Sequence, residues 1–314
     1  MGKKLFVVAP RGWCAGVDRA IEILDVVLEH FPTPVYVRHE IVHNKTVVES
    51  YKKRGVVFVD EAGEVPEGQI VVFSAHGTAP NVEEEAKRRR LKVIDATCPL
   101  VTKVHLEVQR FVEKGYSILY IGHKNHIEAV GVLGEAPDKI TIVETPQEAA
   151  QIPAPPQKTV ILTQTTLSVD DTQKVIDVLK SRFPWIQLTP KEDICYATTN
   201  RQAAVKLLIG AHQPQFIYVI GSKNSSNSNR LCEVAKTLGV PSRLIDSTTD
   251  IRPEDWEGKT TLGLTAGASA PESLVQEVAD YFRREGYAVE ETIFEKENMS
   301  FALPKELIEL IPVS

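Results

Sequence analysis

The stretch Asp95-Ala96-Thr97-Cys98-Pro99-Leu100-Val101-Thr102-Lys103-Val104-His105 decides how the chain is read. Before it, Leu91-Lys92-Val93-Ile94 has the apolar character of a buried strand. After it, Leu100/Val101, Val104, Val108 and Phe111/Val112 recur at helical spacing. Cys98 stands at the break, where the positive end of the helix favours thiolate over thiol. Pro99 suits a first helical turn, which has no N–H to satisfy. The arrangement occurs twice more. Residues 5–9 run into Arg11-Gly12-Trp13-Cys14, followed by Val17, Ile21, Leu24 and Leu28. Lys191-Glu192-Asp193-Ile194-Cys195 leads into a helical pattern with Ala204, Leu207 and Leu208. Three strand–Cys–helix junctions predict three thiolates meeting at one centre.

With each cysteine as an origin, an internal repeat emerges. A strand and a polar turn follow each one: His39-Glu40-Ile41-Val42-His43-Asn44-Lys45, Gly122-His123-Lys124-Asn125-His126-Ile127-Glu128 and Gly221-Ser222-Lys223-Asn224-Ser225-Ser226-Asn227. His43, His126 and Ser225 lie 29, 28 and 30 residues after Cys14, Cys98 and Cys195. A second strand and turn place His76, Thr165 and Ser269 at 62, 67 and 74 residues, so the repeats drift through loop insertions. Alternating strands and helices imply parallel α/β architecture, in which ligands bind at the carboxyl ends of the strands. Three such units facing one another would enclose a single site. The charge run at residues 83–90 reads as a solvated helix face with Glu83–Lys87, Glu84–Arg88 and Glu85–Arg89 pairs. Ile152-Pro153-Ala154-Pro155-Pro156 reads as a surface connector. Residues after Gly286 belong to no repeat, and the apolar tail Leu307-Ile308-Glu309-Leu310-Ile311-Pro312 is expected to pack across another unit.

Composition narrows the function. A net charge of −6, with no basic face, argues against nucleic acid as a partner. No window approaches the ~18 apolar residues of a membrane span, and Met1-Gly2-Lys3-Lys4 enters a strand instead of a signal segment. Four widely separated cysteines are expected to be reduced thiols in a cytoplasmic protein. The absence of a glycine-rich dinucleotide turn, a Walker loop and a Cys-x-x-Cys pair disfavours nicotinamide, ATP and dithiol chemistry.

Three cysteines in register fit an iron–sulfur cluster or a thiolate-rich metal site; the bland alternative is three small residues filling tight junctions. Three thiolates leave one iron of a four-iron cluster without a cysteine, hence open to substrate. Cys232 has no counterpart and reads as a core thiol. His43, His76, His126, Thr165, Ser225, Ser226, Asn227 and Ser269 form a set of imidazoles, hydroxyls and an amide suited to phosphate oxygens, although helix capping is an alternative use for the small polar residues. Glu128 is the carboxylate placed to deliver a proton. His30, His105 and His212 read as structural, while His39 and His123 flank the site and stay undecided. The same Cys/His/Glu set also admits a zinc or non-redox iron hydro-lyase, and three cysteines alone admit a non-catalytic iron–sulfur sensor.

Arg11-Gly12-Trp13-Cys14-Ala15-Gly16-Val17, Ala75-His76-Gly77, Asp95-Ala96-Thr97-Cys98-Pro99, Thr163-Gln164-Thr165-Thr166-Leu167-Ser168, Ile194-Cys195-Tyr196-Ala197-Thr198 and Gly221-Ser222-Lys223-Asn224-Ser225-Ser226-Asn227 closely resemble the motifs of the LytB family, in order and over essentially the whole chain. The resemblance implies three pseudo-threefold-related α/β units with small, mostly parallel sheets around a central iron–sulfur site. Their expected bounds are residues 15–97, 98–194, and 195–285 together with 1–14, followed by a tail at 286–314. The first strand is expected to join the third unit's sheet, because it would otherwise be an orphan. The implied reaction is the reductive dehydration of an allylic hydroxy diphosphate to isopentenyl and dimethylallyl diphosphates. Cys14, Cys98 and Cys195 would hold one 4Fe–4S cluster per chain. His43, His76, His126, Ser225, Ser226, Asn227 and Ser269 would grip the diphosphate, Thr165 would orient the hydroxyl, and Glu128, with His126 beside it, would feed protons. An electron donor such as ferredoxin or flavodoxin is implied as well.

Overall fold

A computed structural model describes residues 2–189 and 193–311 of the chain. Lys191 and Glu192 of the third cysteine junction, and Pro312 of the tail, lie outside the described residues. In chain order the elements are β1 (Lys4–Ala9), α1 (Ala15–His30), β2 (Val35–Arg38), α2 (Lys45–Lys53), β3 (Val56–Val59), β4 (Ile70–Phe73), α3 (Pro80–Arg88), β5 (Lys92–Asp95) and α4 (Pro99–Glu113). Next come β6 (Ser117–Ile121), α5 (Ile127–Glu135), β7 (Ile140–Val143), α6 (Pro146–Gln151), β8 (Thr159–Thr163), α7 (Val169–Arg182) and β9 (Gln187–Leu188). The last are α8 (Tyr196–His212), β10 (Phe216–Ile220), α9 (Ser226–Thr237), β11 (Ser242–Ile245), α10 (Pro253–Trp256), β12 (Thr261–Ala266), α11 (Glu272–Arg284), β13 (Ala288–Ile293) and α12 (Lys305–Leu310). No helix among the described residues is long and apolar enough to cross a membrane.

These elements pack into two compact units: Met1–Asp18 with Val42–Lys53 and Tyr196–Ser300, and Arg19–Ile41 with Arg54–Cys195 and Phe301–Ser314. The first unit contains one parallel sheet, of order β11-β10-β12-β1-β13. The second contains two, of orders β3-β2-β4-β5 and β7-β6-β8-β9, again parallel throughout. The three orders are the same pattern. In each sheet the first strand of the repeat lies between the second and the third, and the fourth place is taken by the strand that leads to a cysteine. That place belongs to β5 before Cys98, β9 before Cys195 and, in the third sheet, β1 before Cys14. β1 does join the third sheet, with Leu5 opposite Leu262. β13 has no counterpart in the other sheets. It runs along the far side of β1, from Lys4 opposite Ala288 to Ala9 opposite Ile293, and covers an edge that would otherwise expose unpaired backbone groups.

The strands form because their apolar runs are buried on both faces, as parallel sheets require: every residue of β8 and of β10 is buried. Along β1 the faces alternate. Leu5 and Val7 pack with Leu274, Val275, Val278 and Phe282 of α11, while Phe6 and Val8 pack with Ala204 and Leu208 of α8 and Leu231 of α9. Each such side chain removed from water contributes about 1.5–3 kcal/mol. In the second unit Val104 and Val108 of α4 and Ala129 and Val132 of α5 cover β6 and β8.

The charged helix α3 departs from the expected pairing. Arg88 bonds Glu85, one turn back, and Arg89 turns inward to donate to the Val65 carbonyl at 2.7 Å. A backbone acceptor inside a loop outcompetes a solvated carboxylate, whose pairing contributes little. In the tail, Leu307 is fully buried.

Candidate functional site

Each of the three repeat cysteines is the residue immediately before a helix: Cys14 before α1, Cys98 before α4 and Cys195 before α8. Cys98 occupies the cap position (φ −59°, ψ 131°), with Pro99 in the first turn. The backbone N–H of each cysteine donates to a carbonyl of the polar turn that follows the third strand of its sheet. Cys14 donates to Ala268 at 3.3 Å, Cys98 to Ala75 at 3.0 Å and Cys195 to Thr165 at 3.0 Å. The backbone of each cysteine is therefore tied to the third-strand turn at the residue before Ser269, at the residue before His76, or at Thr165 itself. The repeat seen in sequence is thus repeated hydrogen for hydrogen in the backbone.

All four cysteines are thiols, and the three repeat cysteines are partly exposed. Cys232 differs. It is buried, and burial pushes its thiol up to about 11, far from the reactive thiolate range. Among the described residues no three His, Cys, Asp or Glu side chains stand at metal-ligand spacing. Each of the three repeat thiols stands at a helix start, where the helix dipole favours the thiolate that metal ligation needs.

In the second unit, His76, His126, Glu128, Thr165, Cys98 and Cys195 are held by adjoining turns. The rings of His76 and His126 meet edge to face, with centroids 6.2 Å apart. His126 caps α5, its Nδ1 accepting the Glu128 N–H at 3.2 Å, so the ring proton sits on Nε2 as a donor. The Ser74 hydroxyl lies 3.1 Å from Nδ1 of His76. Glu128 is only 2% exposed. Its carboxyl accepts the Thr165 backbone N–H at 2.7 Å and the Thr165 hydroxyl at 3.0 Å. Burial pushes this carboxyl up to about 7, against the opposing pull of the two Thr165 hydrogen bonds. Thr165 thus joins the acid to Cys195, whose N–H its carbonyl accepts.

The first unit holds Cys14, His43, Ser225, Ser226, Asn227 and Ser269. The Ser269 hydroxyl donates to the His43 carbonyl at 2.8 Å. Ser225 is the cap of α9, its hydroxyl accepting from the Ser228 N–H at 3.3 Å, and Ser226 opens the helix. Capping is therefore one use of Ser225. The Asn227 amide accepts the Ala268 N–H at 3.0 Å and donates to Thr198 at 3.2 Å. The turn is tight because Gly221 and Gly267 close over Ser228: a Cβ at either would fall 2.1 or 1.9 Å from its hydroxyl.

The remaining histidines separate cleanly. His212 stacks on Phe6 with centroids 3.8 Å apart, and His30 bonds the Val26 carbonyl of its own helix. His105 is buried against Glu135. His39 lies 3.8 Å from Asp60, and the His123 N–H donates to Gln164.

Several supporting residues escaped the sequence reading. Arg201 is 0% exposed; it donates to the Gly12 carbonyl at 2.7 Å and pairs with Glu297 at 3.0 Å, fixing the loop before Cys14. Buried Asp193 accepts from Lys103 at 2.9 Å and from the Thr163 N–H at 3.1 Å, fixing the segment before Cys195. Asn224 reaches His43 at 3.4 Å. The chain separation of these partners leaves no periodic signal; Asn224 and Asp193 lie in stretches already noted, the polar turn and the third cysteine junction, but nothing there showed their partners.

The description of the matching family model is LytB protein, and the match spans residues 5–283. A 4-hydroxy-3-methylbut-2-enyl diphosphate reductase from Actinobacillus pleuropneumoniae serotype 5b is 52% identical over 308 residues, covering 96% of this chain and 98% of that protein. A reductase of the same name from Streptomyces coelicolor is 51% identical, covering 98% and 91%. The solved E-1-hydroxy-2-methyl-but-2-enyl-4-diphosphate reductase of Plasmodium falciparum superposes with a TM-score of 0.95 at 37% identity, covering 99% of this chain and 98% of that one.

Proposed function

The chain belongs to the LytB family, and we propose that it catalyses the reductive dehydration of (E)-4-hydroxy-3-methylbut-2-enyl diphosphate to isopentenyl and dimethylallyl diphosphates. The observation that carries the reading is the buried Glu128 carboxyl, held by Thr165 beside the His126 donor. Loss of an allylic hydroxyl needs a proton at the leaving oxygen, and a carboxyl that titrates near neutrality is matched to that task.

Cys14, Cys98 and Cys195 would hold one 4Fe–4S cluster. When bound, the cluster would relay the donor's two electrons one at a time and act as a Lewis acid. The chain's own residues do the rest. His43, His76, His126, Ser225, Ser226, Asn227 and Ser269 bind the diphosphate through N–H and O–H donors, the Ser269 hydroxyl exchanging the His43 carbonyl for a phosphate oxygen. Nε2–H of His126 is oriented for this by the Nδ1 contact with the Glu128 N–H. Thr165 orients the substrate hydroxyl, and Glu128 delivers protons. Residues 15–97, 98–194, and 195–285 with 1–14 act as three repeats, each contributing one cysteine and two polar turns, with 286–314 as a tail. Electrons come from an external donor of the ferredoxin or flavodoxin kind, and the thiols suit the reducing cytoplasm.

Anaerobic purification followed by iron and acid-labile sulfide analysis, an absorption spectrum and an assay with an artificial reductant tests this reading. The expected result is a brown protein that forms both five-carbon diphosphates. Reconstituted protein without labile sulfide, or product formation that needs no reductant, would overturn it.

A further inference from the structure

We propose that His105, clamped by Glu135, is a positioning residue that sets the His76–Gly77 turn and helix α5 in register, and with them His76 and Glu128. The proposal rests on the function above for what those two groups do. His105 lies on α4, the helix that starts at Cys98, and its side chain is almost completely enclosed. Its Nδ1 is 2.6 Å from Oε1 of Glu135, while Gln109, one turn further along α4, donates to Oε2 at 2.8 Å. The last residue of α5 is therefore gripped at both oxygens by α4. Facing a carboxylate, Nδ1 must carry the proton, which fixes the plane of the ring.

The opposite edge of the ring faces the turn that bears His76. A Cβ at Gly77 would lie 2.7 Å from His105 Nε2, and one at Gly131 of α5 would touch both Gly77 and His105 Cε1 at 3.5 Å. A Cβ at Gly134 would lie 2.3 Å from that of Ala79. Helix α5 thus rests its glycine positions directly on residues 77–79, with the imidazole filling the corner. Gly77 also takes a left-handed conformation (φ +87°), so the turn is shaped to admit the ring.

Nε2 of His105 is buried without a hydrogen-bond partner. An apolar side chain of similar size would fill the corner without that cost, so the polarity of the residue calls for a reason other than packing. The reason lies at the other end of α5. Glu128 and Glu135 are seven residues apart, about two helical turns, on one face. Holding Glu135 therefore fixes the rotation and rise of the helix that presents Glu128 to Thr165.

Holoenzyme variants separate position from packing. His105→Asn places an amide nitrogen where Nδ1 stood and keeps the Glu135 bond; His105→Leu keeps volume and loses the bond. We expect His105→Leu to lower kcat roughly 10–100-fold, as a small misplacement does, and to raise KM for the diphosphate, with His105→Asn within a few-fold of wild type. The infrared carboxyl band of Glu128, identified by its loss in Glu128→Gln, should shift in His105→Leu and stay in place in His105→Asn. A packing role gives the reverse order, and that order overturns the proposal, as does an unmoved Glu128 band in His105→Leu. If neither variant folds, Glu135→Gln against Glu135→Leu makes the same comparison from the other partner. Normal turnover of Glu128→Gln would instead defeat the role given to Glu128, while the band would still report whether His105 positions it.

Discussion

The Glu128 carboxyl takes both hydrogen bonds that Thr165 can donate, the backbone N–H at 2.7 Å and the hydroxyl at 3.0 Å. The pair is buried, so the carboxyl has exchanged water for one fixed residue. The balance of burial against those two bonds leaves it titrating at about 7, close to the pH at which a proton is easily both held and given up.

Glu128→Gln keeps the shape and one hydrogen-bonding face of the side chain but cannot donate a proton at neutral pH. Turnover should fall by roughly 10²–10⁴-fold, the worth of a positioned acid. The cluster spectrum and substrate binding should persist. Product formation with an artificial electron donor is the measurement, and a rate within a few-fold of wild type would move the proton source elsewhere.

The same carboxyl makes stability depend on pH in a stated direction. Its folded value of about 7 lies above the ordinary 4.5, so the unfolded chain releases the proton first as pH rises. Glu128 therefore costs stability progressively between about pH 4.5 and 7, and the full cost persists above that window. Glu128→Gln should be more stable than wild type at pH 8, by on the order of 3 kcal/mol, and no more stable at pH 4. Thermal melts of both proteins at the two pH values decide it; a gain that is equal at both would remove the linkage.

Changing Cys14, Cys98 or Cys195 to Ser should abolish the visible absorption and labile sulfide of the reconstituted protein. Cys232→Ser should leave both intact, because burial holds that thiol neutral. Equal loss from Cys232→Ser would sink the assignment.

Ser225→Ala removes a helix cap as well as a donor to the substrate. Stability should fall by about 1 kcal/mol, and binding of the diphosphate substrate by about 1–3 kcal/mol. Binding of the corresponding alcohol, which lacks the diphosphate, should be unaffected. Calorimetric titration of both ligands distinguishes the two effects: an equal loss for the alcohol would assign Ser225 to capping alone.

What the sequence determined by itself was everything that short-range pattern controls. Apolar runs set the strands, helical spacing set α4 and α8, and the break before Pro99 put Cys98 at a helix start, because these depend on residues within a few positions of one another. Register across the three cysteines then exposed the repeat, and with it His43, His76, His126, Thr165, Ser225 and Ser269 as equivalent turn residues. Tertiary structure alone decided how those residues are held. The β13 strand along β1, the Cys195–Thr165–Glu128 chain of hydrogen bonds, the Arg201–Glu297 pair behind Gly12 and the His105–Glu135 clamp each join residues far apart in sequence. Burial depends on every neighbour that packs around a group. Glu128 reads in sequence as any carboxylate near a helix start, and it becomes an acid poised near neutrality only when packing removes its water and leaves Thr165 in its place.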